Sequence, residues 1–147
     1  MKGIDFYKYN KIFGLIAGLF AFLVFALTVE PTASYWDCAE YISTSAKLQI
    51  GHPPGAPLFQ MLGAIFSILA FDVSQIAYAV NMMSVFSSAM TIMFLFWSIS
   101  LIGKRLLKTS RFLNFNDAYK IFGASFLGSI SFTFTDSFWF NAVEAEV

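Results

Sequence analysis

Residues 76–102, from Ile76 to Ile102, run for 27 positions without a single Asp, Glu, Lys or Arg. As a helix that run rises about 40 Å, more than the roughly 30 Å of bilayer hydrocarbon. Residues 12–29 form a second uncharged run of about 27 Å. A third begins near Ile121 and reaches Phe134 or beyond. Runs of this kind restrict the chain to helical integral membrane architecture, because hydrocarbon offers backbone amides no partner outside the segment itself. Composition agrees: 58% of residues are apolar and 12% charged, against about a quarter charged in soluble domains. Mean hydropathy is +0.68. The net charge of zero leaves no basic footprint for a nucleic-acid partner. One cysteine, Cys38, excludes an intrachain disulfide and a multi-cysteine metal cluster.

The charges between the runs set the expected topology. Lys2, Lys8 and Lys11 precede the first run, and Lys104, Arg105, Lys108 and Arg111 follow the second. Between the two lies 57–71, apolar but only 15 residues long, about 22 Å as a helix and too short to span comfortably. If 57–71 stays at the interface, both basic clusters fall on the cytoplasmic side and Asp37, Glu40, Asp72, Glu144 and Glu146 fall outside. The first run exceeds a signal-peptide h-region and lacks a small-x-small cleavage site, so it reads as an uncleaved span. The expected architecture is all-α, with spans at 12–30, 76–102 and 119–140. An outer loop, 31–75, carries interfacial helices at 35–50 and 57–71, and a cytoplasmic loop covers 103–118. The last residues, Phe138 to Val147, carry no cap or polar tail, which suggests the N-terminal piece of a longer multi-pass protein. Gly14 and Gly18 form a small-xxx-small step able to seat a neighbouring helix.

Chemistry concentrates in the outer loop. Glu30-Pro31-Thr32-Ala33-Ser34-Tyr35-Trp36-Asp37-Cys38-Ala39-Glu40 follows the first span, and Gly51-His52-Pro53-Pro54-Gly55-Ala56-Pro57 comes next. Ser34 followed by Asp37 fits a capping box, Gly51 suits the left-handed position after a helix, and Lys47 complements its dipole. Pro57 can open the second helix. Asp37 and Glu40, three apart, would share a helical face, and neighbouring carboxylates push their pKa values apart, as an acid–base site needs. Asp37 also has a purely structural reading as a capping residue, and His52 as a turn residue. The prolines would hold His52 at low entropic cost. Glu144 and Glu146 read most simply as solvated interfacial carboxylates.

Trp36-Asp37-x-x-Glu40 followed by Gly51-His52-Pro53-Pro54-Gly55-x-Pro57 resembles a family of bacterial multi-pass membrane proteins, formerly a domain of unknown function. That family is similar to the protein O-mannosyltransferases and, more distantly, to the glycosyltransferase-C superfamily. The likeness extends along the chain, through 57–71, the span ending at Lys104-Arg105 and the return span, to Glu144-x-Glu146. The mannosyltransferases usually carry adjacent Asp-Glu where this chain has Asp37-Cys38-Ala39-Glu40. The resemblance implies the N-terminal part of a glycosyltransferase-C-like fold in the cell inner (cytoplasmic) membrane, N-terminus cytoplasmic. It implies transfer of a sugar from a polyprenyl-phosphate donor to a protein or glycan hydroxyl on the outer side. Asp37 would be the base, with Glu40 beside it in the catalytic pair. His52, Trp36 and Lys47 would bind substrate, and Glu144 or Glu146 substrate or a divalent cation. The competing class is a non-enzymatic carrier or scaffold for lipid-linked substrates. Transporters place ionisable groups inside their spans, whereas these spans hold no acidic residue between Glu30, at the very end of the first, and Asp136, which favours the enzyme.

Overall fold

A computed structural model describes residues 3–34, 36–53 and 55–145. Six helices are present among them: α1 (Phe6–Thr28), α2 (Cys38–Lys47), α3 (Pro57–Ile68), α4 (Ile76–Leu106), α5 (Phe115–Thr133) and α6 (Asp136–Val143). A 3₁₀ turn over Val73–Gln75 leads into α4. The expected helical architecture is met apart from one small antiparallel ladder, β1 (Ile4–Asp5) with β2 (Phe112–Leu113). Two helical stretches, Phe6–Thr28 and Val73–Leu106, are long and apolar enough to cross a membrane. Only 28% and 33% of their most apolar windows are buried. The core helix of a soluble protein would hide most of such a surface, so these faces suit lipid.

The chain forms two compact units. The first comprises Met1–Phe22 and Ala89–Thr135. Within it α1 meets α4 at its two small residues. A Cβ on Gly14 would land in the Trp97 indole, and one on Gly18 would come within 2.9 Å of Met93 Cβ and 3.3 Å of the Ala89 carbonyl. Glycine is required here because only a bare backbone lets the side chains of α4 approach so closely. Polar contacts reinforce the crossing: Trp97 Nε1 donates to the Asn10 carbonyl at 3.0 Å and Ser100 Oγ to Asn10 Oδ1 at 2.5 Å. On α5, Ser125, Ser129 and Thr133 form a fully buried stripe, each hydroxyl returned to the carbonyl four residues back. Phe122 stacks on Phe6 and meets Phe13 edge-on. At one end of this unit Arg111 pairs with Asp5 at 2.8 Å, and Lys104 Nζ donates to Tyr7 Oη at 3.3 Å while lying over the Phe6 and Tyr7 rings. The start of α1 and the chain following α4 therefore lie together.

The second unit comprises Leu23–Ser88 and Asp136–Val147. Its core joins Cys38, Ile42, Val80 and Ala145, with Phe59, Ile76 and Ala77 against them. Phe25 meets the rings of Phe138 and Trp139. Asn81 on α4 is fully buried, and its amide donates to the carbonyls of Glu30 and Thr32 at 2.7 and 3.0 Å. That anchors the segment leaving α1.

Several expected boundaries shift, each for a local reason. The first helix starts at Phe6 rather than near residue 12, because Asp5 Oδ1 accepts from the Tyr7 and Lys8 amides and so caps the polar first turn. The 35–50 helix contracts to Cys38–Lys47. Ser34 bonds Glu144 rather than capping, and Leu48, not Gly51, takes the left-handed position with φ 50°. The 57–71 helix ends at Ile68, and Pro57 opens it as expected. The second long helix extends to Leu106, so the 103–118 loop is shorter than expected and contains β2. The third run, 119–140, is two helices, with α5 starting at Phe115 after Asn114, which caps it by accepting from the Asp117 amide at 2.8 Å. Lys2, Tyr35, Pro54 and Glu146 lie outside the described residues.

The glycines give a direct test of the first unit. Gly14→Ala should lower the melting temperature, since overpacking costs roughly 1–3 kcal/mol and exceeds the ~1 kcal/mol gain in helix propensity. Gly123→Ala, where an added Cβ meets nothing within 4 Å, should raise it. Thermal unfolding in detergent checks both; equal stabilisation by the two would mean Trp97 is not seated on Gly14.

Candidate functional site

The site is built around α2. Asp37 is its N-cap residue and makes no side-chain capping hydrogen bond. The expected capping box is thus absent and the Asp37 carboxylate is free of that duty. Glu40 occupies the first turn, on the face toward the His-Pro turn. Its Oε1 accepts from the His52 backbone amide at 2.7 Å, and its Oε2 lies 3.0 Å from His52 Nδ1. One carboxylate therefore holds one residue at two points. The other ring nitrogen, Nε2, sits 3.8 Å from Asp37 Oδ2. Asp37, Glu40 and His52 are brought together, as their spacing suggested for the two carboxylates.

Two features that the sequence reading did not identify make this convergence possible. Gly51 works through the space it leaves: a Cβ there would lie 2.9 Å from Gln60 Nε2 and 3.1 Å from Glu40 Oε1. Gln60 on α3 is buried and donates to Thr44 Oγ1 on α2 at 3.3 Å, tying the two short helices together. Gly63 continues the contact against Ser45. A glutamine inside an otherwise apolar helix was the available signal for the first contact, since a buried amide seeks a partner.

The remaining expected residues fall elsewhere. Trp36, adjacent to Asp37, is 88% exposed and sits at φ 60°, an unusual conformation for a bulky residue. Its indole is presented outward beside the carboxylate. Lys47 is exposed at the end of α2 and its side chain has no partner among the described residues. Glu144 is half-buried and accepts a hydrogen bond from Ser34, which ties the outer loop to the segment after α6. It does not join the cluster, and Glu146 is outside the described residues.

Electrostatics follow from this geometry. The hydrogen bond from the His52 backbone amide, then that from its ring, lower the Glu40 pKa below its ordinary value, with burial opposing. The Glu40 hydrogen bond raises the His52 pKa above 6.5, helped by the charges of Glu40 and Asp37 and opposed by burial. The ligand atoms of all three lie within 4.8 Å of one another. A mixed nitrogen and carboxylate set of this kind suits a divalent transition ion. Without one, it is an imidazole held between two carboxylates, with Asp37 the more weakly engaged of the pair.

Histidine titration tests the arrangement, because this chain has one histidine. Imidazole NMR should place the His52 pKa above 6.5, and Glu40→Gln should bring it down. A group whose folded pKa is raised contributes stability that is complete below its unfolded value and lost as pH rises through the folded value. The melting temperature should therefore fall as pH rises above about 6.5, by less in His52→Ala.

The family model for the N-terminal domain of protein O-mannosyl-transferase TMEM260 matches residues 37–147, starting at Asp37 itself. Protein O-mannosyl-transferase tmem260 of Dictyostelium discoideum is 25% identical over 126 residues, 85% of this chain and 13% of that protein. Protein O-mannosyl-transferase TMEM260 of Mus musculus is 33% identical over 76 residues, 52% of this chain and 11% of that protein. The chain thus spans a small part of the length of these relatives, and they lend no support to the expected bacterial source. No solved structure matches. With the family model covering most of its length and beginning on the site aspartate, the chain belongs to the TMEM260 N-terminal domain family of protein O-mannosyl-transferases.

Proposed function

We propose that this chain is the N-terminal membrane module of a glycosyltransferase that moves a sugar from a polyprenyl-phosphate donor to a protein or glycan hydroxyl. The observation that carries the reading is the Asp37 carboxylate, close to His52 and without a capping role, in a family whose relatives are named protein O-mannosyl-transferases. Asp37 takes the proton from the acceptor hydroxyl as its oxygen attacks the anomeric carbon. The bond from that carbon to the phosphate oxygen breaks, and the phosphate leaves with the electron pair. Glu40 positions His52, and the imidazolium restrains Asp37 and offers a donor to substrate. The Trp36 indole provides an exposed face against which a sugar ring can lie. The rest of the catalytic machinery belongs to the whole protein, beyond these residues.

The reaction is proposed for the side opposite the cytoplasm, with the N-terminus cytoplasmic and a third crossing made by α5 with α6. Two observations support this. The chain before α1 and the basic segment after α4 meet through Arg111–Asp5 and Lys104–Tyr7, so both basic clusters share one side, as the positive-inside rule favours. The α3 helix, at 12 residues, rises only about 18 Å and does not reach across hydrocarbon.

In the full-length protein, Asp37→Asn should reduce turnover by about 100-fold or more with an unchanged melting temperature, because no capping bond is lost. Glu40→Gln should reduce activity and also loosen the His52 turn. Transfer of radiolabelled sugar from a polyprenyl-phosphate donor in detergent measures both; near-wild-type turnover in Asp37→Asn would refute the assignment. For topology, cysteines placed at 52 and 108 in a Cys38→Ser background should label from opposite faces. Labelling from one face would overturn the three-span arrangement.

A further inference from the structure

A cavity of about 540 Å³ opens between α3 and α4 in the second unit, beside the turn that carries His52. Leu58, Phe59, Leu62 and Met83 form its apolar wall, and Ser84 and Ser88 enter it from α4. These two serines are one helical turn apart and 6% and 9% exposed. Buried hydroxyls in helices ordinarily return to the carbonyl three or four residues back. Ser98, Ser100, Ser125, Ser129 and Thr133 all do so in this chain. Ser84 and Ser88 do not, and among the described residues their hydroxyls have no partner. Two buried donors thus face the cavity unspent.

The start of α3 lines the same cavity through Gly55, Ala56, Pro57 and Leu58. Its N-cap is Ala56, whose side chain cannot cap, and Pro57 contributes no amide hydrogen. The amides of Leu58 and Phe59 belong to the first turn, which has no carbonyl of its own helix to receive them; the Gln60 amide is the first to reach back, to the Ala56 carbonyl at 2.9 Å. Uncapped amides at a helix start favour an anion, reinforced by the helix dipole. No carboxylate lines the cavity to oppose one. The Gly55 amide donates to the His52 carbonyl at 2.8 Å, so one residue of the cavity wall is tied to the turn that carries His52.

We propose that this cavity receives the phosphate end of the polyprenyl-phosphate donor, an inference that rests on the function proposed above for the identity of that lipid. The phosphate oxygens accept from the first turn of α3 and from Ser84 and Ser88, and the first part of the lipid chain lies along Leu58, Leu62 and Met83. The pairing of anion donors with an apolar wall selects an amphiphile over inorganic phosphate. The connection to His52 favours a reacting lipid over bulk phospholipid, because it brings the phosphate ester toward Asp37.

The test uses the full-length protein in nanodiscs and a fluorescent polyprenyl monophosphate carrying no sugar, so that binding is read independently of transfer. Ser84→Ala/Ser88→Ala should weaken its binding about tenfold, the scale of losing hydrogen bonds to a charged group. Ser98→Ala and Ser125→Ala should leave it unchanged. In the transfer assay the double variant should raise donor KM by a similar factor and leave kcat and acceptor KM near wild type. Binding of the parent polyprenol as tight as that of its phosphate would overturn the proposal, as would equal competition by phosphatidylglycerol, or unchanged affinity in a correctly folded double variant. Loss of all transfer by the wild-type protein with the serine-dependent binding intact would instead strike only the proposed reaction.

Discussion

Hydrocarbon gives a peptide group nothing to hydrogen-bond with, and that constraint decides where this chain can do chemistry. Along α1 and α4 every interior amide must be spent within its own helix, so the polar side chains there are few. Asn10, Trp97 and Ser100 are committed to contacts between the helices. The segment between them contains irregular backbone, and with it the freedom to present carboxylates, an imidazole and uncapped amides. The short α2 and α3, of 10 and 12 residues, fold within that segment.

A loop of this kind is useful only if it is held. Asn81 binds the carbonyls of Glu30 and Thr32 from inside α4, Ser34 reaches Glu144, and Glu30 donates its amide to the Val143 carbonyl. These contacts tie the entrance of the loop to helices of the same unit. Glu40 then holds His52 by backbone and ring together. The two carboxylates, chemically alike, are separated in role by this arrangement. Glu40 is spent on structure, while Asp37 lies at the lip of α2 with only a distant partner.

This division bears on the choice between enzyme and carrier. A carrier site is expected near the midplane, lined by ionisable groups on discontinuous spans. Here the converging ionisable groups lie in the loop between the two apolar helices, and α1 and α4 run unbroken for 23 and 31 residues. The proposed transfer from a lipid-linked donor would use the Asp37 carboxylate, with the exposed Trp36 indole next to it in sequence.

Periodicity and length alone determined the helical membrane class, the two long apolar helices, Pro57 as a helix start and the pairing of Asp37 with Glu40, because each depends on hydrophobicity or on residues close in sequence. The small-xxx-small step at Gly14 and Gly18 pointed to a neighbouring helix, and the fold supplied its identity, with Trp97 and Met93 of α4 against the two glycines. The tertiary structure alone decided which carboxylate is engaged, because Glu40 and His52 are twelve positions apart across a turn. It moved Ser34 from a local cap to Glu144, 110 residues away, and gave Gly51 a steric role in place of a conformational one. It also left Ser84 and Ser88 without a partner among the described residues, where Ser125, Ser129 and Thr133 turn back on their helix. Each of these outcomes is a competition between a local partner and a distant one, and the distances that settle it exist only once the chain has folded.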